Sequence, residues 1–395
     1  MVTFTVPVKL LAAPLTQVAG VCNKRPSNPA DLTKNVKLDV TKDALSLTGR
    51  DGDVQLTATL PFTKDNGASC EQEGTFLVDA VKLSSFIKAL SPAETITFSL
   101  RDDDDNRLAI TTSTGTSDFV LQAAVLKEGV TFPPFSDSED AKPVSFAIEE
   151  RKLRYILDKS VFCVSVENYR DYLKGLRFEA VGNELTVYAL DGHRMAALET
   201  VLAKAVDGES GEAKFLTTLR GTTELHKLLS NSRKEPITLT VGHNVLTTQV
   251  GMYALSMRLL TVKYPNVAAV LPKQVSEVRV PTAELKDAVN RVALFSDKRL
   301  SKVALTFAHN QLTLQAQNSD RETARAVIDY LDFAPSKPVE VNLNADYVKA
   351  FLQNIATPEV VFGLTPENNN TQIAERNQWA DIGVRLRYVV SHIMI

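Results

Sequence analysis

One pattern occurs three times along this chain, and it limits what the chain can fold into. A strand followed by an amphipathic helix opens near Phe4, again near Phe146, and again near Val278. The apolar helix positions correspond: Leu11, Leu15 and Val18 in the first copy, Leu153 and Leu157 in the second, Leu285, Val289 and Val292 in the third. A second marker follows at a similar offset, as Leu45-Ser46-Leu47, Leu185-Thr186-Val187 and Leu312-Thr313-Leu314. A third is formed by Phe76, Phe215 and Val341, each followed ten residues on by an apolar helical position at Phe86, Leu225 or Phe351. Equivalent markers lie about 140 and then about 127 residues apart, close to the usual size of a domain. Solenoid units are far shorter. A chain that repeats a whole domain builds rotational symmetry, so its function is to be sought in an assembly.

Three units of this size can each bury a core. With 44 basic against 47 acidic residues, the chain is not a bulk polycation for nucleic acid. Cys22, Cys70 and Cys163 are odd in number, far apart and without a CxxC pair. That argues against a disulfide framework or a zinc site and for a reducing cytoplasm. No apolar run approaches the length of a membrane span. The stretch from Leu10 to Cys22 loosely suggests a lipoprotein signal, but the same register returns at Leu153 and Leu285, so it reads as a core helix.

Loop-like composition at Phe132-Pro133-Pro134-Phe135 and onward, and from Tyr264-Pro265-Asn266 to Leu271-Pro272-Lys273, divides the chain into 1–138, 139–273 and 274–395. Alternating stretches such as Thr95–Leu100 and Ile237–Val241 predict half-buried strands. Asp43-Ala44, Gly182-Asn183 and His309-Asn310 predict hairpin turns in equivalent places. Each unit thus combines two short helices with many antiparallel strands, an α+β arrangement with helices on one face of curved sheet. The six helical windows (9–25, 79–90, 151–165, 217–229, 282–299, 344–355) are net positive, whereas the whole chain is at −3. Solvated lysines account for one or two such windows; segregation over all the repeats suggests a positive surface facing an acidic polymer.

No catalytic or metal constellation emerges. The five histidines show no HExxH or paired spacing, and no GxSxG, P-loop or GxGxxG occurs. Asp102-Asp103-Asp104-Asp105, between two strands, reads as a solvated hairpin loop and not as a magnesium site. More specific is Arg170-Asp171-Tyr172-Leu173-Lys174-Gly175-Leu176, followed after a strand by Leu190-Asp191-Gly192-His193-Arg194-Met195-Ala196. Asp-Gly forms a tight turn and His-Arg re-enters a strand.

These blocks, with Tyr264-Pro265, Val270-Leu271-Pro272-Lys273, Lys24-Arg25-Pro26, Arg50-Asp51, Val81-Lys82 and the final Tyr388-Val389-Val390, resemble the bacterial sliding-clamp family, the beta subunits of DNA polymerase III. The resemblance spans essentially the full length. It implies three clamp domains per chain and a homodimer closed into a ring around double-stranded DNA, with no reaction, cofactor or metal. It also implies a clamp loader, DNA polymerase III and other polymerases or repair factors as partners. Such partners dock short linear peptides in a cleft, here Leu173, Leu190, Gly192, His193, Arg194, Met195, Pro265, Val270, Tyr347, Val389, Ser391 and Ile393. DNA would meet Lys24, Arg25, Lys82, Arg170 and Tyr172 through its phosphates. Phe86, Phe119 and Leu121 would face Leu294 and Phe295 at the dimer join. Family tails commonly read Met-Pro-Met-Arg-Leu, whereas this one reads Ser391-His392-Ile393-Met394-Ile395. Strand period places Ile393 on the face of Val389.

Size supports two chains per ring. A 130-residue domain is roughly a sphere 36 Å across; three enclose a hole about 6 Å wide and six about 36 Å, against a duplex of about 20 Å. The competing reading is a repeat-domain scaffold that binds proteins without encircling DNA.

Overall fold

The computed structural model describes residues 2–394 except 26–27, 29–30, 101–105, 115–117, 126–131, 133–134, 136, 138–141, 167–169, 231–234, 273–275, 309, 330–336, 365–368 and 377–380. The aspartate run 102–105, Lys273 and much of the 132–140 segment therefore lie outside the described residues. The described residues contain six α-helices: α1 (Val8–Val21), α2 (Ala80–Ala89), α3 (Glu150–Ser160), α4 (Leu219–Leu228), α5 (Thr282–Val292) and α6 (Ala345–Gln353). Each falls inside or against one of the six windows expected from sequence. All described sheet pairings are antiparallel, giving the expected α+β class.

Each helix forms for local reasons and is held by burial. In α1, Leu11, Leu15 and Val18 are fully buried, on one stripe by the 3.6-residue period. Each such side chain contributes roughly 1.5–3 kcal/mol. Caps fix the starts of three others. Asp79 accepts from the Lys82 amide at α2, Thr218 from Gly221 at α4, and Asn344 from Asp346 and Tyr347 at α6.

The chain packs as two compact units, Met1–Pro143 with Ile237–Leu259, and Val144–Pro236 with Leu260–Ile395. In the first, the Tyr253–Arg258 strand pairs with Val54–Pro61, so a segment distant in sequence extends the N-terminal sheet. Phe4, Phe76 and Phe98 fill its core, Phe4 stacked on Phe98 at 4.7 Å between centroids. In the second, an eight-stranded sheet runs Glu212–Leu216, Arg177–Val181, Glu184–Leu190, Arg194–Val201, Val384–Ser391, Asn370–Glu375, Glu359–Leu364, Ser276–Pro281. Its centre is the pairing of Arg194–Val201 with Val384–Ser391, which sets Met195 opposite Val389. A four-stranded sheet (Thr323–Asp329, Gln311–Gln317, Lys302–Ala308, Val339–Asn344) completes this unit. The strands flanking 43–44, 182–183 and 309–310 pair with one another as the expected hairpins require.

Candidate functional site

The site is organised by one turn. The Glu184–Leu190 strand ends at Asp191, whose Oδ1 accepts from the backbone amides of His193 (2.9 Å) and Arg194 (3.0 Å). Its Oδ2 accepts from Arg194 Nε at 2.8 Å. Gly192 sits at φ +99°, a conformation only glycine adopts without strain. Side chains of the Asp191–Arg194 pair are only 13% and 14% exposed, so the pair is shielded where an open surface pair would be screened. Arg194 Nη2 also donates to the Phe162 carbonyl at 2.6 Å, and the guanidinium lies 4.7 Å from the centre of the Tyr347 ring. His193 is exposed, its ring nearly parallel to that of Tyr347 at 6.4 Å. One aspartate thus orients a histidine and an arginine on the same tyrosine of α6.

Beside this turn lies an apolar floor. Met195 and Val389 join Tyr188, Ala197, Val267 and Leu271 in one buried cluster, with Leu190 and Tyr264 packed against it. Leu173 is buried, and a Cβ at Gly192 would lie 4.0 Å from its Cδ1. The lips are open: Pro265 is exposed and Val270 is 48% exposed. Two buried polar atoms near this surface, Tyr264 Oη and Asn342 Oδ1, have no hydrogen-bond partner among the described residues.

The tail leaves the strand before Ile393. The strand ends at Ser391, whose amide donates to the His193 carbonyl at 2.9 Å, and strand period does not govern the residues beyond it. Ile393 is half-buried, and its amide donates to the Asn342 carbonyl at 2.8 Å. Its position is therefore set by the neighbouring sheet and not by alternation from Val389. His392 Nε2 is 2.7 Å from Thr371 Oγ1, and burial pushes the imidazole pKa below its ordinary value.

The twelve cleft residues expected from sequence thus gather in one unit. Sequence reasoning missed Tyr188, Ala197, Val267 and Leu271. The first two were open to detection, since they continue the Leu190 and Met195 faces at two-residue spacing.

The basic candidates divide between the units. Lys24 and Arg25 are exposed just beyond α1, and Lys82 is exposed in the first turn of α2. Arg170 is exposed and donates from Nη1 to Tyr172 Oη at 3.3 Å, while the Tyr172 ring meets Tyr264 edge-on at 6.1 Å. The Tyr172 loop is thereby tied to the wall of the apolar cluster. Of the residues expected at a dimer join, Phe86 and Phe119 meet edge-on at 4.7 Å, and Leu121 is half-buried. In the other unit Leu294 is 79% exposed and Phe295 37%, in the single 3-10 turn after α5.

Three family models match in succession: "DNA polymerase III beta subunit, N-terminal domain" over residues 2–128, the central domain over 147–266, and the C-terminal domain over 268–381. The chain is 27% identical over 371 residues to the beta sliding clamp of Proteus mirabilis, covering 94% of this chain and 95% of that protein. It is 28% identical over 363 residues to that of Haemophilus influenzae, covering 92% and 93%. Among solved structures, a Pseudomonas aeruginosa sliding clamp bound to griselimycin is similar over 100% of both chains, with TM-score 0.87 and 25% identity. A Bacillus subtilis clamp, at 19% identity, shares the fold over 100% of this chain and 99% of its own, with TM-score 0.86.

Proposed function

We propose, for a chain that belongs to the family of the DNA polymerase III beta subunit, that it works as a DNA sliding clamp. Two copies close into a ring around duplex DNA and tether a replicative polymerase and repair proteins to it. The observation that carries this reading is the match of three successive clamp domains over nearly the whole chain. Domains at 1–138, 139–273 and 274–395, doubled by a two-fold axis, supply six units for the ring.

The clamp acts without catalysis or a cofactor, in the cytoplasm. Tethering is topological, so DNA affinity can be weak, independent of sequence and steeply salt-dependent. Lys24, Arg25, Lys82, Arg170 and Tyr172 contact phosphates. Phe119, Leu121 and Phe86 of one copy meet Leu294 and Phe295 of the other. The clamp loader and polymerases dock peptides on the Met195–Val389 floor, between the Tyr347 side and the Val270 lip. Apolar anchors in a preformed groove with polar groups at its rim suit many short peptides.

The deciding experiment is retention on DNA. A clamp loaded on closed circular DNA stays bound in high salt and is released when the circle is cut; a protein scaffold retains neither form selectively. Light scattering should give a dimer at micromolar concentration, and a monomer there would overturn the ring. Replacing both Lys24 and Arg25 by Ala should flatten the salt slope by about one unit per lost phosphate contact, with dimerisation unchanged.

A further inference from the structure

We propose that Tyr388, buried behind the apolar floor, is a positioning residue for peptide recognition: it fixes Tyr347 and Arg194, and through them the polar end of the cleft. This rests on the cleft reading above and deepens it.

Neighbouring residues of one strand serve the two sides of the sheet. Val389 belongs to the floor, and Tyr388, one residue before it, points to the opposite face. There its fully buried ring stacks on Phe351 of α6 at 4.9 Å between centroids. It also lies 5.9 Å from the ring of Phe162, in the 3-10 turn that follows α3. The Tyr388 hydroxyl donates to the Tyr347 carbonyl at 3.0 Å and lies within reach of the Arg194 guanidinium. Burial pushes its phenol pKa upward, so the hydroxyl stays protonated and keeps donating. The backbone of Tyr347 is thereby held at both ends, since its amide donates to Asn344 Oδ1 at 3.3 Å. Arg194, already pinned by Asp191 and by the Phe162 carbonyl, rests against the Tyr347 ring. One buried hydroxyl therefore meets both partners of the Arg194–Tyr347 contact.

The corresponding hairpin of the other unit shows what packing alone requires. There Asp51 accepts from the Asp53 and Val54 amides as Asp191 does from those of His193 and Arg194. Val54 thus stands where Arg194 does. Two residues further along each strand, Leu56 pairs with Leu255 and Ala196 pairs with Tyr388. Leu255 therefore holds the place of Tyr388, and like Val54 it is buried. An aliphatic pair satisfies the fold at this register. Arginine and tyrosine instead carry polar groups inward, and their desolvation has to be offset by hydrogen bonds. The two positions differ together, and the polar pair belongs to the turn beside the open apolar surface. Tyr347 is half-exposed and His193 exposed, and a phenol or a neutral imidazole can both donate and accept. A peptide side-chain amide does the same, so it suits this end of the cleft while the floor takes apolar anchors.

The test uses the full-length protein and fluorescence anisotropy with two labelled pentapeptides. Both carry leucine and phenylalanine anchors; one has a glutamine where the other has a methionine, similar in length but without the amide. The wild type is expected to bind the glutamine probe about tenfold tighter, the scale of one or two net hydrogen bonds. Tyr388→Phe keeps the ring and should lower that ratio about fivefold, with the methionine probe and dimerisation unchanged. Phe178, buried in the same unit and stacked on Phe215 at 4.9 Å, controls for general loosening of the fold. Phe178→Leu should leave the ratio at its wild-type value. A wild type that binds both probes equally, a ratio that survives Tyr388→Phe, or an equal fall in Phe178→Leu overturns the positioning role and leaves the cleft standing. If neither probe binds the wild type, the cleft reading falls, and the positioning role falls with it.

Discussion

Asp51 and Asp191 occupy the same place in two copies of one hairpin. Each accepts from two backbone amides past the turn: Asp53 and Val54 for Asp51, both at 2.8 Å, and His193 and Arg194 for Asp191. Each exit strand pairs with a strand distant in sequence, and that partner donates an amide back to the turn: Arg258 to the Asp53 carbonyl, Ser391 to that of His193. Arg50 thus corresponds to Leu190, and Arg258 to Ser391. The contents of the two places differ. At the first turn Arg50 and Arg258 lie at 5.1 and 4.6 Å from the ring centre of Phe135. Asp137, two residues on, accepts from the amides of His243 and Asn244. The chain covers this place with its own segment. At the second turn the equivalent surface is apolar, its Val270 lip is exposed, and no segment of the described chain fills it. One supersecondary frame has thus become a closed structural joint in one copy and an open apolar surface in the other.

The largest expected effect separates the two directly. Val270→Asp should weaken a polymerase-type peptide about a hundredfold, the scale of losing a central anchor, while Phe135→Ala leaves peptide binding untouched. Isothermal titration of both variants checks this; a Val270→Asp protein that binds like wild type puts the cleft elsewhere. Met195 is a poorer probe than its central position suggests, because it is buried, and a charge there would disturb the fold as well as the peptide.

Next is the turn itself. Asp191→Ala removes three accepted hydrogen bonds and strands Arg194, and should cost about 2–4 kcal/mol. Asp51→Ala removes at least the two bonds from the Asp53 and Val54 amides and should cost about 1–2 kcal/mol. Denaturant melts measure both, and only the Asp191 variant should also lose peptide affinity. Equal costs would mean that the Arg194 pair adds nothing to the second turn.

Smaller still is Phe135→Ala, expected to cost about 1 kcal/mol through the lost contact with two guanidinium groups. Burial and the neighbouring Arg258 hold the Arg50 pKa below its ordinary value. Without the ring the two like charges should separate, seen as a change in local hydrogen exchange at 242–244.

The smallest effect is pH-dependent and belongs to the second turn alone. His392 has its pKa lowered from 6.5 by burial, so the folded state favours the neutral ring and the unfolded chain binds more protons. Stability from this group is fully present above 6.5 and declines as pH falls through 6.5 toward the folded value. Melts at about pH 7.5 and 5.5, above and below 6.5, should show a difference that His392→Asn reduces.

Much of this was legible in the linear chain because the repeats obey local rules. The helix stripes at Leu11, Leu153 and Leu285 follow the 3.6-residue period, and the hairpin at Gly182-Asn183 follows turn chemistry. Asp191-Gly192 marked the second turn. The cleft was legible only in part. Tyr188 and Ala197 follow from two-residue alternation, whereas Val267 and Leu271 come from a short helical turn with no period to extend. The place of Ile393 was not legible, because alternation stops where the strand stops, at Ser391.

Local interactions therefore determine which segments are helix, strand and turn, that the domain recurs three times, and where each core stripe falls. Side-chain shape and backbone hydrogen bonding act over a few residues, and sequence displays them directly. Tertiary structure alone decided which turn stays open. That choice depends on Arg194–Val201 pairing with a strand some 190 residues later, which sets Val389 opposite Met195. It depends equally on Phe135 lodging between arginines from two distant strands. Pairings of such long range carry no local signal, because their free energy appears only when the surfaces meet.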